Sequence, residues 1–205
     1  MVTVLSVEKV RSRYRIRLDS GETVHLSAGL YRQKPLEPGQ QVDLEELDKW
    51  LLLRQYPMAL DRAVELLAAR NHSQKEIRDK LLRAGYRPCT VEMVLYKLSV
   101  LKLTDDTAFA RSWAESRSGR YGNRRLMQEL RQKGIAGEDA EAALAALDPD
   151  RQQAAAEAFA AKALGRRRAG ETPQKARSRA MAALVRRGYS WEEARKAVDT
   201  ALESE

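Results

Sequence analysis

One cysteine and two histidines in 205 residues leave little material for redox, metal or nucleophilic chemistry. The lone Cys89 excludes an internal disulfide and a multi-thiolate metal site, and its freedom fits a reducing compartment. His25 falls in an expected hairpin and His72 in an expected connector, and neither has the converging partners that a catalytic triad needs; both read as ordinary surface or turn residues. Asp105 and Asp106 are better placed to cap a helix than to hold a metal. The chain has no phosphate loop of the GxxxxGK(S/T) form, since Gly165 to Gly170 lacks the lysine and the hydroxyl. Nor is there a run of about eighteen apolar residues or a leader pattern at Met1–Val10, so neither a membrane span nor export is expected. These absences argue against an enzyme and against any cofactor, and they place the protein in the cytoplasm.

What is abundant is charge. Lys and Arg number 37 against 29 Asp and Glu, giving a net charge of +8, with 43% hydrophobic residues. That composition describes a folded, soluble chain of modest domains whose excess charge suits phosphates or an acidic protein surface.

Three segments follow one rule: a leucine, three residues, a glycine, then a large apolar residue. They are Leu81–Gly85 with Tyr86, Leu130–Gly134 with Ile135, and Leu184–Gly188 with Tyr189. Counted from each glycine, position −8 holds Ile77, Leu126 and Ala180, and positions +6, +9 and +10 hold Val91, Val94 and Leu95, then Ala140, Ala143 and Leu144, then Ala194, Ala197 and Val198. The register runs without a gap. Self-similarity of this kind marks a helical array in which a unit's apolar face is covered by its neighbour. The glycine is explained by a helix that ends in a left-handed residue, with the following apolar side chain clasping the leucine. Arg83, Arg131, Lys133, Arg186 and Arg187 crowd the same last turns, where the helix dipole favours cations.

The first part of the chain has another texture. Tyr14, Ile16 and Leu18 alternate with Arg15 and Arg17, Asp19 to Gly21 break the run, and Val24 and Leu26 resume it, which predicts a hairpin with one dry face. Thr3 to Val10 supplies a third strand, and Pro35, Pro38 and Gly39 read as turns. Asp43 with Glu46 predicts a capped helix running toward Tyr56, with Pro57 opening another, and Ser73 with Glu76 opens the next. The expected organisation is therefore mainly α: a small N-terminal β module with a linking helix over residues 1–56, then three-helix repeats over 57–103, 104–147 and 148–205 in an elongated tandem array.

Two basic clusters are the candidate binding sites. In the first, Arg117, Arg120, Arg124, Arg125, Arg131 and Lys133 oppose only Glu129, with Tyr121 and Gly122 among them at a helix start. Arginines with an interleaved aromatic could hold phosphates or carboxylates and offer a stacking face. The second, Lys162 with Arg166, Arg167 and Arg168, sits in a connector, and a solvated polar face explains either cluster equally well. Arg70 and Lys80 in the first repeat complete the candidates. Phe109 and Trp113 at helical spacing read as core, and Trp50 and Trp191 as seals between units.

The stretch Ala63, Leu66, Arg70, Ser73, Glu76, Ile77, Lys80, Leu81, Gly85 resembles the opening motif of the bacterial RecX regulatory proteins. Leu103, Asp105, Asp106, Phe109 and Ala110, then Arg117, Gly122, Arg125, Leu126, Glu129, Leu130, Lys133, Gly134 and Ile135, are similar to that family's middle block, the most specific part of the likeness. The third repeat departs most, with alanine-rich helices and an arginine-rich connector. The resemblance implies a regulator that lodges in the groove of the RecA filament, touches single-stranded DNA weakly or indirectly, and restrains recombinase, ATPase and coprotease activity; with no long heptad seam to suggest a coiled-coil dimer, a monomer is expected. The rival reading is a stand-alone basic protein with a DNA-binding helix-turn-helix.

Overall fold

The alternation at Tyr14, Ile16 and Leu18 produces a strand with Ile16 and Leu18 buried and the intervening arginines exposed. In the computed structural model, which describes residues 1–166 and 170–203, this strand, β2 (Arg13–Leu18), pairs antiparallel with β1 (Val2–Val10) and with β3 (Thr23–Ser27). A two-residue strand, β4 (Gln41–Val42), adds to the other side of β1, giving the order β3-β2-β1-β4. Sequence patterning gave no sign of β4, which is too short for a period, or of the helix α1 (Ala28–Gln33) that Ser27 caps by accepting from the Leu30 N–H. Tyr31 of α1 stacks on Tyr14 with ring centroids 3.8 Å apart and donates its hydroxyl to the Leu36 carbonyl, which brings the buried Leu36 under the sheet.

Helix α2 (Leu44–Ala69) starts where expected, with Asp43 accepting from the Glu45 and Glu46 N–H groups. It does not stop before Pro57. The proline sits inside one continuous helix, so the helix start expected there is corrected. Proline at this place forgoes one backbone bond, to the carbonyl of Leu53, whose own residue is exposed where water can serve it. Continuity is favoured because the two ends of α2 serve two cores. Leu47 and Leu51 close the β module with Val4, Ile16, Leu18, Val24, Leu26 and Leu36, while Ala59 and Ala63 pack with Ile77, Leu81, Val91, Val94, Leu95 and Leu98. These last belong to α3 (Gln74–Arg83) and α4 (Pro88–Val100), which with the second half of α2 form the first three-helix repeat. Together these elements make one unit, Met1–Thr104.

The second unit, Asp105–Glu205, holds six helices among its described residues: α5 (Asp106–Ser118), α6 (Asn123–Gln132), α7 (Gly137–Ala145), α8 (Pro149–Leu164), α9 (Pro173–Arg186) and α10 (Trp191–Glu203). Asp105, Asp148 and Thr172 cap α5, α8 and α9 with their side chains, and Pro149 and Pro173 stand in the first turns. Ser190 and Glu193 satisfy each other's backbone N–H groups at the start of α10, a complete capping box. Trp191, expected to seal an interface, is instead 61% exposed: it occupies the first position of α10, a turn ahead of Ala194, where the core begins.

The three glycine turns are alike. Gly85, Gly134 and Gly188 have φ of 88°, 79° and 90°. After each, the next residue's N–H returns to the leucine carbonyl: Tyr86 to Leu81 at 3.2 Å, Ile135 to Leu130 at 3.1 Å, Tyr189 to Leu184 at 3.3 Å. The apolar positions named by the repeat register are buried, from Ile77, Leu126 and Ala180 to Leu95, Leu144 and Val198, except Tyr86, which is half-buried against the first repeat's core. What differs from a simple array is the packing between repeats. Within each unit the described buried residues fall into two separate clusters, the β module and the first repeat in one unit and the second and third repeats in the other, so within a unit each closes on its own core instead of lending an apolar face to its neighbour. In the third, Ala156, Ala160, Ala163, Ala176, Ala180, Ala194, Ala197 and Ala201 supply most of the core, which brings the three helices close together.

Candidate functional site

In the second unit the basic cluster is organised by Glu129. From the middle of α6 this carboxylate accepts from the Trp113 indole N–H at 3.2 Å and from Arg125 Nε at 3.2 Å, with Arg117 Nη1 3.5 Å away. Trp113 stacks on Phe109, with centroids 5.8 Å apart, and only Phe109 is fully in the core. The outer faces of Trp113 are taken by cations: the Arg117 guanidinium carbon lies 4.1 Å and Lys133 Nζ 4.2 Å from its ring centroid. Arg125 lies 3.9 Å from the Tyr121 centroid. The stacking face that the sequence offered at Tyr121 is thus covered by the neighbouring arginine. Such contacts contribute about 0.5–1 kcal/mol each at exposed sites, and here they hold Arg117, Arg125 and Lys133 in place.

The first turn of α6 is built against the third repeat. The Gly122 N–H donates to the Arg187 carbonyl at 3.0 Å and the Arg124 N–H to the Gly188 carbonyl at 3.1 Å. The end of α9, rich in orphan carbonyls, thereby caps the start of α6, rich in orphan N–H groups, and the two dipole ends attract. Contact is so close that a Cβ on Gly122 would lie 2.4 Å from the Tyr189 nitrogen, and one on Gly188 would lie 2.4 Å from Arg125 Cβ. Arg187 adds a bond to the Arg120 carbonyl at 3.2 Å and lies 3.8 Å from the Phe159 centroid, while the Gln152 amide donates to Asn123 Oδ1 at 2.7 Å. Beside this clasp opens a cleft of about 390 Å³ lined by Arg124, Arg125, Gln128, Glu129, Gln132, Val185, Arg186 and Gly188. Arg124, Arg125, Gln128 and Gln132 share one face of α6, the face opposite the buried Leu126 and Leu130.

The other candidates are scattered. Arg120 and Arg131 are exposed. Arg166 is exposed and its carbonyl accepts from Arg179, whereas Arg167 and Arg168 lie outside the described residues. In the first unit Arg70 forks onto Glu76, at 3.0 and 3.2 Å, and Lys80 is half-buried on α3. Both therefore serve or flank the first repeat's own packing. His72, expected at the surface, is 5% exposed with Nδ1 3.4 Å from Glu76, because the Arg70–Glu76 pair and the Ser73 cap fold the connector inward.

Sequence reasoning missed the ion triad that ties the β module to the first repeat. Arg87, just before α4, is 8% exposed; its Nε donates to Asp48 at 2.6 Å, and its Nη2 to Asp48 at 3.0 Å and Glu22 at 3.1 Å. Its N–H donates to Gln55. Burial pulls the Arg87 pKa down, but the Asp48 and Glu22 bonds outweigh it and the net shift is upward. Nearby His25 is held below its ordinary value of 6.5 by partial burial and by the Arg15 and Arg13 charges. The partners lie 39 and 65 residues from Arg87, so no local pattern points to them. Gly122 was visible, but only as a helix start; nothing local names Gly188 as its partner.

Family models match the helical part of the chain. Residues 59–98, 105–144 and 150–198 match the first, second and third three-helix domains of RecX. A regulatory protein RecX from Prosthecochloris aestuarii is 46% identical over 95 residues, which span 44% of this chain and 61% of that relative's length. The one from Mycolicibacterium smegmatis is 35% identical over 147 residues, 69% of this chain and 78% of the relative. Over 210 residues and the whole of this chain, the Enterococcus faecalis protein of the same name is 30% identical, with 76% of it covered. Among solved structures, a crystal structure of regulatory protein RecX superposes with a TM-score of 0.67 at 24% identity over 97% of this chain and all of that one. RecX from Lactobacillus salivarius gives 0.63 at 21% identity over 74% of this chain and 97% of that one. At those identities the superpositions speak for the fold alone.

Proposed function

The chain belongs to the RecX family of regulatory proteins, and on that premise we propose that it binds the RecA filament on single-stranded DNA, seats in its helical groove, and restrains recombinase, ATPase and coprotease activity. The observation that carries this reading is the second unit's basic face, where Arg117, Arg125 and Lys133 are fixed by Glu129 and by aromatic rings, and Arg124 stands exposed at a cleft. Side chains held this way lose less entropy on binding than free ones. Repeated contacts along a filament raise the effective concentration of each, so individually modest contacts suffice. In this reading the protein acts as a cytoplasmic monomer without cofactor or catalysis, and DNA contact is secondary.

A free-standing helix-turn-helix fits less well. The N-terminal turn of α6, the end a recognition helix would offer to base edges, is occupied by the Arg187 and Gly188 carbonyls. The test is ATP hydrolysis by RecA on single-stranded DNA while this protein is titrated in. Hydrolysis should fall with increasing protein; an unchanged rate at every ratio overturns the proposal.

A further inference from the structure

We propose that the cleft between α6 and the α9–α10 turn receives the carboxylates of an acidic protein segment, gripped by Arg124 and Arg186. This deepens the reading above and rests on it only for the partner's being a protein.

Charge is the first argument. Three arginines and one carboxylate line the cleft. The carboxylate, Glu129, is already engaged by Trp113, Arg125 and Arg117. Arg124 and Arg186 are both exposed and have no carboxylate partner among the described residues. A site with its own acid neutralised and two uncommitted guanidinium groups is set for an anion. Gln128 and Gln132 add neutral amides that can donate to a second oxygen.

The kind of anion follows from the aromatic rings. Single-stranded nucleic acid gains much of its affinity from stacking successive bases on open aromatic faces. Around this cleft the ring faces are covered by cations: Tyr121 by Arg125, Trp113 by Arg117 and Lys133, Phe159 by Arg187. A strand would therefore find phosphate attraction and little else. The planar fork of arginine matches a carboxylate with two parallel bonds as well as it matches a phosphate, so an acidic segment, which has no bases to stack, loses nothing by the closed ring faces. The two arginines also stand on elements joined by backbone bonds, Gly122 to Arg187 and Arg124 to Gly188, which fix the width of the cleft before a ligand arrives.

The experiment uses the full chain, its Arg124→Glu/Arg186→Glu variant, and a control of equal charge change, Lys49→Glu/Arg111→Glu, at exposed positions that do not line the cleft. Thermal melts establish that all three are folded. Binding of a fluorescent Asp- and Glu-rich peptide and of fluorescent oligo(dT) is measured by anisotropy, and retention on RecA filaments is measured separately. The cleft variant should lose peptide affinity by about tenfold or more, with the control close to the parent and oligo(dT) affected equally by both. Equal peptide loss in the two variants overturns the proposal, because net charge alone would then be responsible. So does oligo(dT) displacing the peptide with a loss confined to the cleft variant, which would make the cleft a nucleic-acid site. A parent that binds the peptide as described but ignores RecA filaments sinks the filament reading and leaves this one standing; a parent retained on filaments equally with the cleft variant does the reverse.

Discussion

Leu130 and Gly134 act on the same turn by different physics. Leu130 is fully buried among Phe109, Leu126 and Ile135, and its carbonyl accepts from the Ile135 N–H. Truncating it removes apolar contact and leaves a cavity, so Leu130→Ala should cost about 2–5 kcal/mol in chemical denaturation. Gly134 contributes through its φ of 79°. Gly134→Ala should cost about 1–2 kcal/mol from left-handed strain, and it leaves no cavity. A Gly134→Ala protein that unfolds at the parent's midpoint would contradict the left-handed turn. Both residues were legible from the sequence, because a helix end of this type is a local device: its glycine, its leucine and the apolar residue that follows lie within six positions of one another. Residues whose setting depends on distant segments were not legible. His72 occupies the connector expected of it but is buried, and Trp191, read as a seal between units, is exposed; only the fold of the surrounding connector and core decides that.

At the scale of elements, the informative contact is the head-to-tail clasp of α9 on α6. Gly122 has an ordinary φ of −79°, so Gly122→Ala tests close approach without backbone strain. Gly188→Ala combines a Cβ clash at Arg125 with a left-handed residue. We expect both to lower the melting temperature, Gly188→Ala by more, and the double variant to cost less than the sum, because either clash alone already separates the same two backbones. Calorimetry on the four proteins provides the cycle; strict additivity would mean that the glycines do not share one contact. Helix starts and ends were readable from caps such as Asp43, Ser73 and Asp105, each of which accepts from an N–H of its own helix. The joining of repeats was not. Helical periodicity reports which face of a helix is dry, but the second and third repeats meet through backbone polar groups, which every residue carries and no pattern distinguishes. The same limit explains Pro57, whose helix-breaking tendency of about 3 kcal/mol is outweighed by two cores that both need α2.

For the molecule as a whole, the basic excess does two jobs that composition cannot separate. Arg87 is consumed internally, binding Asp48 and Glu22 where the β module meets the first repeat, while Arg124 and Arg186 remain available at the surface. The β module was legible as a hairpin, yet its attachment was not, since it depends on Arg87, Gln55 and His25 meeting across the chain. That attachment carries a pH dependence whose sign can be worked out. His25 packs against the Gly85 turn, where an added Cβ would lie 3.1 Å from the His25 Cβ, and partial burial together with Arg15 and Arg13 lowers its pKa below 6.5. Between the folded and unfolded values the unfolded chain binds more protons, so protonation favours unfolding there. Stability contributed by neutral His25 is complete above about pH 6.5 and declines as the pH falls through the folded value, below which the loss levels off. His25→Gln removes this titration while leaving His72 and the carboxylates unchanged. The fall in melting temperature between neutral and mildly acidic buffer should therefore be shallower in the variant than in the parent, and parallel curves would show that His25 titrates alike in both states and is not shielded by the Gly85 turn.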